Sequence, residues 1–350
     1  MRHKSISTLL VVFLLVFAVA AFPQSMKKTG ISGASILKVG VGAKAVGIGS
    51  AITTVTNDVN QVFWNPAGIS LPEGKTQVTF SYNQWIADIN HNAFAVAHSF
   101  GSWGTVALGG LMSGVSDIEA NRDVQPGLAG VEYSDEATFD YNSAIIGLSY
   151  AKQFTDKLSL GATVKYYSEK IDVESIGTVA FDFGAIYMLG YRDLAIGARI
   201  QNLGGDLEYY YVPFSLPMVF SFGVSMSMIQ SDAFTFKGYV DATKPLDADQ
   251  MILGGVEANL LKNVSFRAGY KFNYMGMMDD FGPRSSYQIV EKTTRDHWYA
   301  QKSYSRTDEG LSLGAGIVLP YSGYDLVIDY TWSSFDLLDD VNRLSVSFKF

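Results

Sequence analysis

From about residue 77 onward, apolar and polar positions alternate along most of the chain. In "YDLVIDYTW", Tyr324, Leu326, Ile328, Tyr330 and Trp332 share one parity, while Asp325, Asp329 and Thr331 share the other. "VSFRAGYKF" opposes Val264, Phe266, Ala268, Tyr270 and Phe272 to Ser265, Arg267, Gly269 and Lys271. "LSLGATVKY" does the same, with Leu158, Leu160, Ala162, Val164 and Tyr166 against Ser159, Gly161, Thr163 and Lys165. Successive side chains of a strand point to opposite faces, so period two means strands with one apolar face. The pattern predicts strands at Gln77–Gln84, Ala93–Phe100, Thr105–Met112, Asn142–Lys152, Lys157–Ser168, Thr178–Leu189 and Asp193–Gln201. It continues at Met218–Met228, Phe234–Asp241, Ile252–Leu260, Val264–Phe272, Leu311–Leu319, Tyr324–Trp332 and Arg343–Phe350, fourteen in all. A tilted strand crosses a hydrocarbon layer in roughly 9–11 residues, and these lengths match. The third strand, "TVALGGLM", alternates poorly.

The connections have their own rhythm. Those after the even-numbered strands are short, as in "GSWG", "QFTDK" and "LKN". Those after the third, seventh and eleventh strands are long, the last spanning Asn273–Gly310. Short turns at one rim and long loops at the other describe a membrane barrel, and an even strand count returns both ends to the short-turn rim. Alternation by itself also fits a soluble two-sheet sandwich. The chain ends separate the two. Arg2, His3 and Lys4 precede an apolar run from Thr8 to Phe22 and a small-residue site at Ala18-Val19-Ala20. The run is shorter than a spanning helix and reads as a signal peptide over 1–20, with an uncleaved anchor as the rival. At the other end, "LSVSFKF" resembles the closing strand of bacterial outer-membrane β-barrels, whose terminal aromatic serves as an assembly signal.

Composition narrows the class further. The formal charge is −8, against nucleic acid as a partner. Charged residues make up only 17%, below the roughly 25% of soluble domains, while aromatics reach 13%. The chain has no cysteine, which removes lipoprotein anchoring, disulfides and thiolate zinc sites. The expectation is an all-β, 14-stranded antiparallel transmembrane β-barrel over 76–350, following a plug segment over 21–75, in the bacterial outer membrane.

Two features point to a filled interior. Gly147, Gly161, Gly184, Gly197, Gly223, Gly255, Gly269, Gly314 and Gly316 fall mid-strand on the inward parity. Glycine there either clears volume for something packed inside or eases curvature. The segment Gly30–Pro72 is rich in Gly, Ala and Val, and too apolar for a disordered tail. Its "NDVNQVFWNPAG" reads as one short helix, capped by Asn57 or Asp58 and ended by Pro66, with Asn65 folding its amide onto nearby backbone.

"GASILKVGVGAKAVGIGSAITTVTNDVNQVFWNPAGIS" resembles the N-terminal block of the PorV/PorQ family, within the larger group of FadL-like outer-membrane transport proteins. It departs from the pattern at Ser50 and Ile52, where Gly and an aromatic are preferred. The resemblance implies a hatch inside a fourteen-stranded barrel, with Asn65, Pro66 and Ala67 in the hatch. It also implies a lateral opening at a kink in the third strand, for which Gly109 and Gly110 are the candidates; plain slack is the alternative.

Chemistry is sparse. His3, His91, His98 and His297 make no motif, and no G-x-S-x-G elbow or G-x-G-x-x-G loop occurs. Asp241, Asp247 and Asp249 lack EF-hand spacing. No catalytic residue, metal or cofactor is expected. The apolar loop pieces carry Tyr209, Tyr210, Tyr211 and Phe214 in one link, and Met275, Met277, Met278 and Phe281 in another. These either gather a ligand or partner, or pack on each other as a lid. Two functions follow from the resemblance: passage of hydrophobic small molecules through a plugged lumen and lateral opening, or binding of secreted protein cargo in type IX secretion. Lipid of the outer membrane is the surrounding partner in either case.

Overall fold

The computed structural model describes residues 32–72, 74–86, 89–120, 138–209, 212–248, 250–261, 263–273, 287–292, 298–304, 309–335 and 339–350. The expected signal peptide over 1–20 and residues Tyr210, Tyr211, Asp249, Met275, Met277, Met278, Phe281 and His297 lie outside the described residues.

The strands in chain order are β1 (Thr76–Gln84), β2 (Asn90–Ser99), β3 (Thr105–Glu119), β4 (Thr138–Gln153), β5 (Leu158–Ile171) and β6 (Glu174–Met188). Then come β7 (Ala195–Gly204), β8 (Leu207–Tyr209), β9 (Val212–Phe214), β10 (Val219–Gln230), β11 (Phe234–Pro245) and β12 (Met251–Leu260). Last are β13 (Val264–Asn273), β14 (Tyr287–Lys292), β15 (Trp298–Tyr304), β16 (Leu311–Tyr321), β17 (Tyr324–Ser333) and β18 (Val341–Lys349). Fourteen of them form one closed antiparallel barrel, shut by β1 on β18. The hairpins β8–β9 and β14–β15 stand apart as two-stranded sheets within the seventh and eleventh long links. Sequence reading did not resolve these hairpins as strands, because strands this short carry too little alternation to stand out from a loop.

A single closed sheet replaces the sandwich alternative. Its outward face exposes Phe80, Leu148, Phe183, Phe220, Phe266 and Tyr330, while the intervening residues turn inward and are buried. Several strands run beyond their predicted ends. β3 continues to Glu119, β4 starts at Thr138, and β5 and β6 meet at a two-residue turn between Ile171 and Glu174. The extensions lie toward the long-link rim, where Asp117, Asp140, Lys170 and Glu174 mix with Ile118, Phe139 and Ile176 and alternation no longer marks a strand.

β3 alternates in space although not in sequence. Val106, Leu108 and Met112 face outward, and Thr105, Ala107, Gly109, Leu111 and Ser113 face inward and are buried. The inward Leu111 and the outward Gly110 spoil the pattern. Gly110 pairs directly with Phe94 of β2, whose ring lies over it and covers the missing side chain.

Candidate functional site

The segment from Ser32 to Leu71 occupies the barrel interior. It enters at the long-link rim, where Ser32 bridges Ser215 and Gly33 N–H donates to the Ser215 carbonyl at 3.3 Å. It leaves at the short-turn rim, where Leu71 N–H donates to Thr105 Oγ1 at 3.1 Å before β1 begins. Between these points it makes a 3-10 turn at Ser35–Lys38, a short helix, Ala43–Gly47, and then two further 3-10 turns, Val59–Phe63 and Pro66–Ile69. These last two therefore replace the one helix expected. Asp58 caps the first, accepting from Asn60 N–H at 2.9 Å. Pro66 opens the second rather than ending the first, since its fixed φ suits a first helical position.

Asn65 is fully buried and joins separate parts of the segment. Its Nδ2 donates to the Thr53 carbonyl at 2.6 Å, its Oδ1 accepts from Ala67 N–H at 3.1 Å, and its own N–H donates to Gln61 Oε1 at 3.2 Å. Gln61 Nε2 in turn donates to the Ile52 carbonyl at 3.3 Å. Trp64 donates from Nε1 to the Val41 carbonyl at 2.9 Å, and the Arg199 guanidinium sits 5.0 Å from its ring centre. Tryptophan, asparagine, proline and alanine at 64–67 thus fold three stretches of the segment onto one another.

The inward glycines are where this body meets the wall. A methyl group added at Gly161 would overlap Pro66 and Ala67, at Gly184 it would overlap Asn65, and at Gly255 and Gly269 it would overlap Ile48 and Gly49. At Gly197 it would stand 2.8 Å from the Thr53 carbonyl, and at Gly223 2.8 Å from Thr53 Cβ. Gly314 approaches Gly47 less closely, and Gly147 and Gly316 face wall side chains alone. Volume clearance therefore explains six of the nine directly. Polar contacts fix the orientation. Asp241 Oδ2 accepts from Thr53 N–H at 3.0 Å and from Thr53 Oγ1 at 2.6 Å. Ala43 N–H donates to Ser345 Oγ at 2.8 Å, and Thr331 Oγ1 donates to the Ala43 carbonyl at 2.6 Å.

Gly109 and Gly110 do not mark a gap. Both are paired in register with Ala95 and Phe94 on one side and with Gly147 and Ile146 on the other. The irregularity of β3 lies instead between Val115 and Ile118, with Asp117 at φ 61°. Gly109 serves contact: a methyl group there would meet Val62 at 2.8 Å and Phe63 at 3.4 Å.

The interior has two characters. Across much of the barrel it is charged. Arg267 pairs with Glu257 at 2.7 Å and Asp329 at 2.6 Å, and Lys165 Nζ reaches Asp182 at 2.8 Å and Asn202 Oδ1 at 2.5 Å. Toward the long-link rim, by contrast, inward Ala93, Leu111, Ile145, Tyr167, Ala180 and Ile176 form one apolar cluster with Ala34, Ile36, Val41, Leu207, Phe214 and Leu216. Tyr209 stacks on Phe214 with ring centres 5.9 Å apart and donates to Glu169 Oε1 at 2.9 Å. Glu169 also accepts from Tyr141 at 3.1 Å and from Tyr167. The β8–β9 hairpin is thereby clamped over the first residues of the inner segment. Asp241 and Asp247 do not converge: Asp241 holds Thr53, while Asp247 holds Ser32 and Lys38, the latter at 2.8 Å.

Outside the strands the buried carboxyl groups are held below their usual range. Burial opposes ionisation of Asp58, but Lys44, 3.5 Å away, and the Asn60 hydrogen bonds hold its carboxyl below the usual range. Burial likewise opposes the charge of Glu309, yet the neighbouring Lys271 and Arg343 bring it down to about 2.

No family model and no curated protein sequence matches the chain. Solved structures do. The Pseudomonas putida toluene transporter TodX matches with a TM-score of 0.52 and 10% identity, over 93% of this chain and 99% of that one. A Pseudomonas aeruginosa FadL homologue matches with a TM-score of 0.50 and 11% identity, over 87% and 96%. At such identity the shared property is the fold: an all-β, closed fourteen-stranded antiparallel barrel. Among the described residues no helix is long and apolar enough to cross a membrane.

Proposed function

We propose that this chain is an outer-membrane barrel of FadL-like type that passes hydrophobic small molecules, with residues 32–71 as its plug. The observation that carries this reading is the apolar cluster inside the barrel at the long-link rim. A water-filled pore keeps a polar interior, so an inward apolar surface facing movable chain is a surface for greasy ligands. The fold shared with TodX and a FadL homologue supports the same reading. The "WNPAG" resemblance supports the PorV/PorQ branch and, with it, a protein-cargo role; the enclosed apolar surface favours the small molecule.

In this reading the long-link rim faces outward and the ligand enters beneath the β8–β9 hairpin. Exit at Gly109-Gly110 requires Val62 and Phe63 to withdraw from the wall. On entry the part of the plug that moves is 32–42; most of 43–71 is keyed to glycines around the barrel, and within it only the Val62 and Phe63 side chains shift, at the exit. Ser32→Cys with Ser215→Cys tests this, the native chain having no cysteine to compete. Cells carrying the oxidised pair are expected to lose uptake of a hydrophobic probe and to regain it on reduction. Uptake unchanged by deleting the gene would overturn the transport reading; uptake indifferent to the cross-link would overturn the moving part.

A further inference from the structure

A cavity lies between residues 39–43 and the wall formed by β1, β2, β3 and β18. Its lining combines Val41, Ala93 and Leu111, members of the apolar cluster, with Asn83, His91 and Arg343. These three polar residues are 6%, 5% and 2% exposed. Arg343 Nη1 is engaged: it donates to Ser333 Oγ at 2.8 Å and lies 2.8 Å from Glu309 Oε1, off the hydrogen-bonding direction. Although the Arg343 guanidinium lies 5.3 Å from the Trp85 ring centre, Arg343 Nε and Nη2, both amide atoms of Asn83, and His91 Nδ1 have no hydrogen-bond partner. Nine in ten buried polar atoms find one, so five without a partner on three residues around one cavity call for an occupant.

The orphan atoms define that occupant. Arg343 and Asn83 contribute N–H donors, against one sure acceptor, Asn83 Oδ1. The missing group therefore carries an acceptor oxygen. The cavity has room for about one water-sized group, too small for a phosphate, a sugar or both oxygens of a carboxylate. Val41, Ala93 and Leu111 also line it and belong to the buried apolar cluster, so a ligand body gains room beside the oxygen only when residues 32–42 withdraw. We infer that this cavity is a socket for the single oxygen of an otherwise apolar, uncharged ligand: a hydrophobic alcohol, phenol or ketone. The inference rests on the transport reading above and narrows it from hydrophobic small molecules at large to those bearing one oxygen.

The test is calorimetric binding to the purified full chain in detergent, each affinity corrected for partition into protein-free micelles. The probes share a skeleton: ethylbenzene, 1-phenylethanol, acetophenone and phenylacetate. The alcohol and the ketone are expected to bind about tenfold tighter than ethylbenzene, as hydrogen bonds to a charged donor allow. Asn83→Leu is expected to bring that ratio within about twofold. His91→Phe, which keeps a ring beside Trp85, is a second and independent variant with the same expected direction. A native ratio near one would overturn the proposal and assign the orphan atoms to a trapped water. Phenylacetate binding tighter than acetophenone would overturn the one-oxygen limit. Failure of all four probes, ethylbenzene included, would instead overturn the transport reading beneath it.

Discussion

Single residues decide whether the interior body fits. Gly269 and Gly254 are near neighbours on paired strands, yet a methyl group at Gly269 would overlap Gly49, whereas at Gly254 it would meet only Phe272 at 3.9 Å. Gly269→Ala is expected to destabilise the folded barrel by about 1–3 kcal/mol, the usual cost of overpacking, and Gly254→Ala to leave it within ~0.5 kcal/mol. Urea unfolding followed by tryptophan fluorescence compares them. Asn65→Leu leaves the Thr53 carbonyl and the Ala67 N–H without partners, at a cost of about 1–3 kcal/mol each if neither is re-satisfied. The same unfolding measurement should place it below the native chain. The inward parity of the glycines was legible in the sequence, because alternation assigns a face to every strand residue. What each one touches was not, since the part of the inner segment that meets the wall lies far from it in the chain.

At the scale of elements, the inner segment is a folded body held by contacts of different kinds at its two ends. The end at the long-link rim is held by Asp247, Lys38, Ser32 and the β8–β9 hairpin; the middle is held by backbone approach to glycines. The Lys44–Asp58 pair lies in that middle part and is pH-dependent. The native Asp58 carboxyl sits below its unfolded value, so its contribution is present above about pH 4 and is lost as pH falls through the depressed value. Acidification through that range is expected to increase peptic cleavage of the inner segment beside Phe63 and Trp64, and Asp58→Asn is expected to show higher tryptic cleavage at Lys44 already at neutral pH. Gel analysis of digests across pH reads both. The local sequence predicted the Asp58 cap and the Asn65 turn because those bonds span two residues. It did not predict that Pro66 starts a second turn: proline is equally suited to end one helix and to open the next, and the choice is made by what Asn65 holds.

For the whole molecule, an apolar outer face around an interior of mixed character is the property on which the proposed membrane residence and transport both depend. Phe266→Arg on the outward face should lower stability by about 2–4 kcal/mol in a bilayer if it lies at mid-depth, and refolding into lipid vesicles measures it. An equivalent charge already stands inward next to it, at Arg267, compensated by Glu257 and Asp329. The sequence by itself determined the fourteen barrel strands, the apolar face and the long and short rims, because period two and turn length are properties of neighbouring residues. The tertiary structure alone decided the rest: which glycines admit the inner segment, that Gly109 packs against Val62 and Gly110 against Phe94, and where buried donors go unanswered. Those are contacts between residues far apart in the chain, and they exist only once the sheet has closed around what it contains.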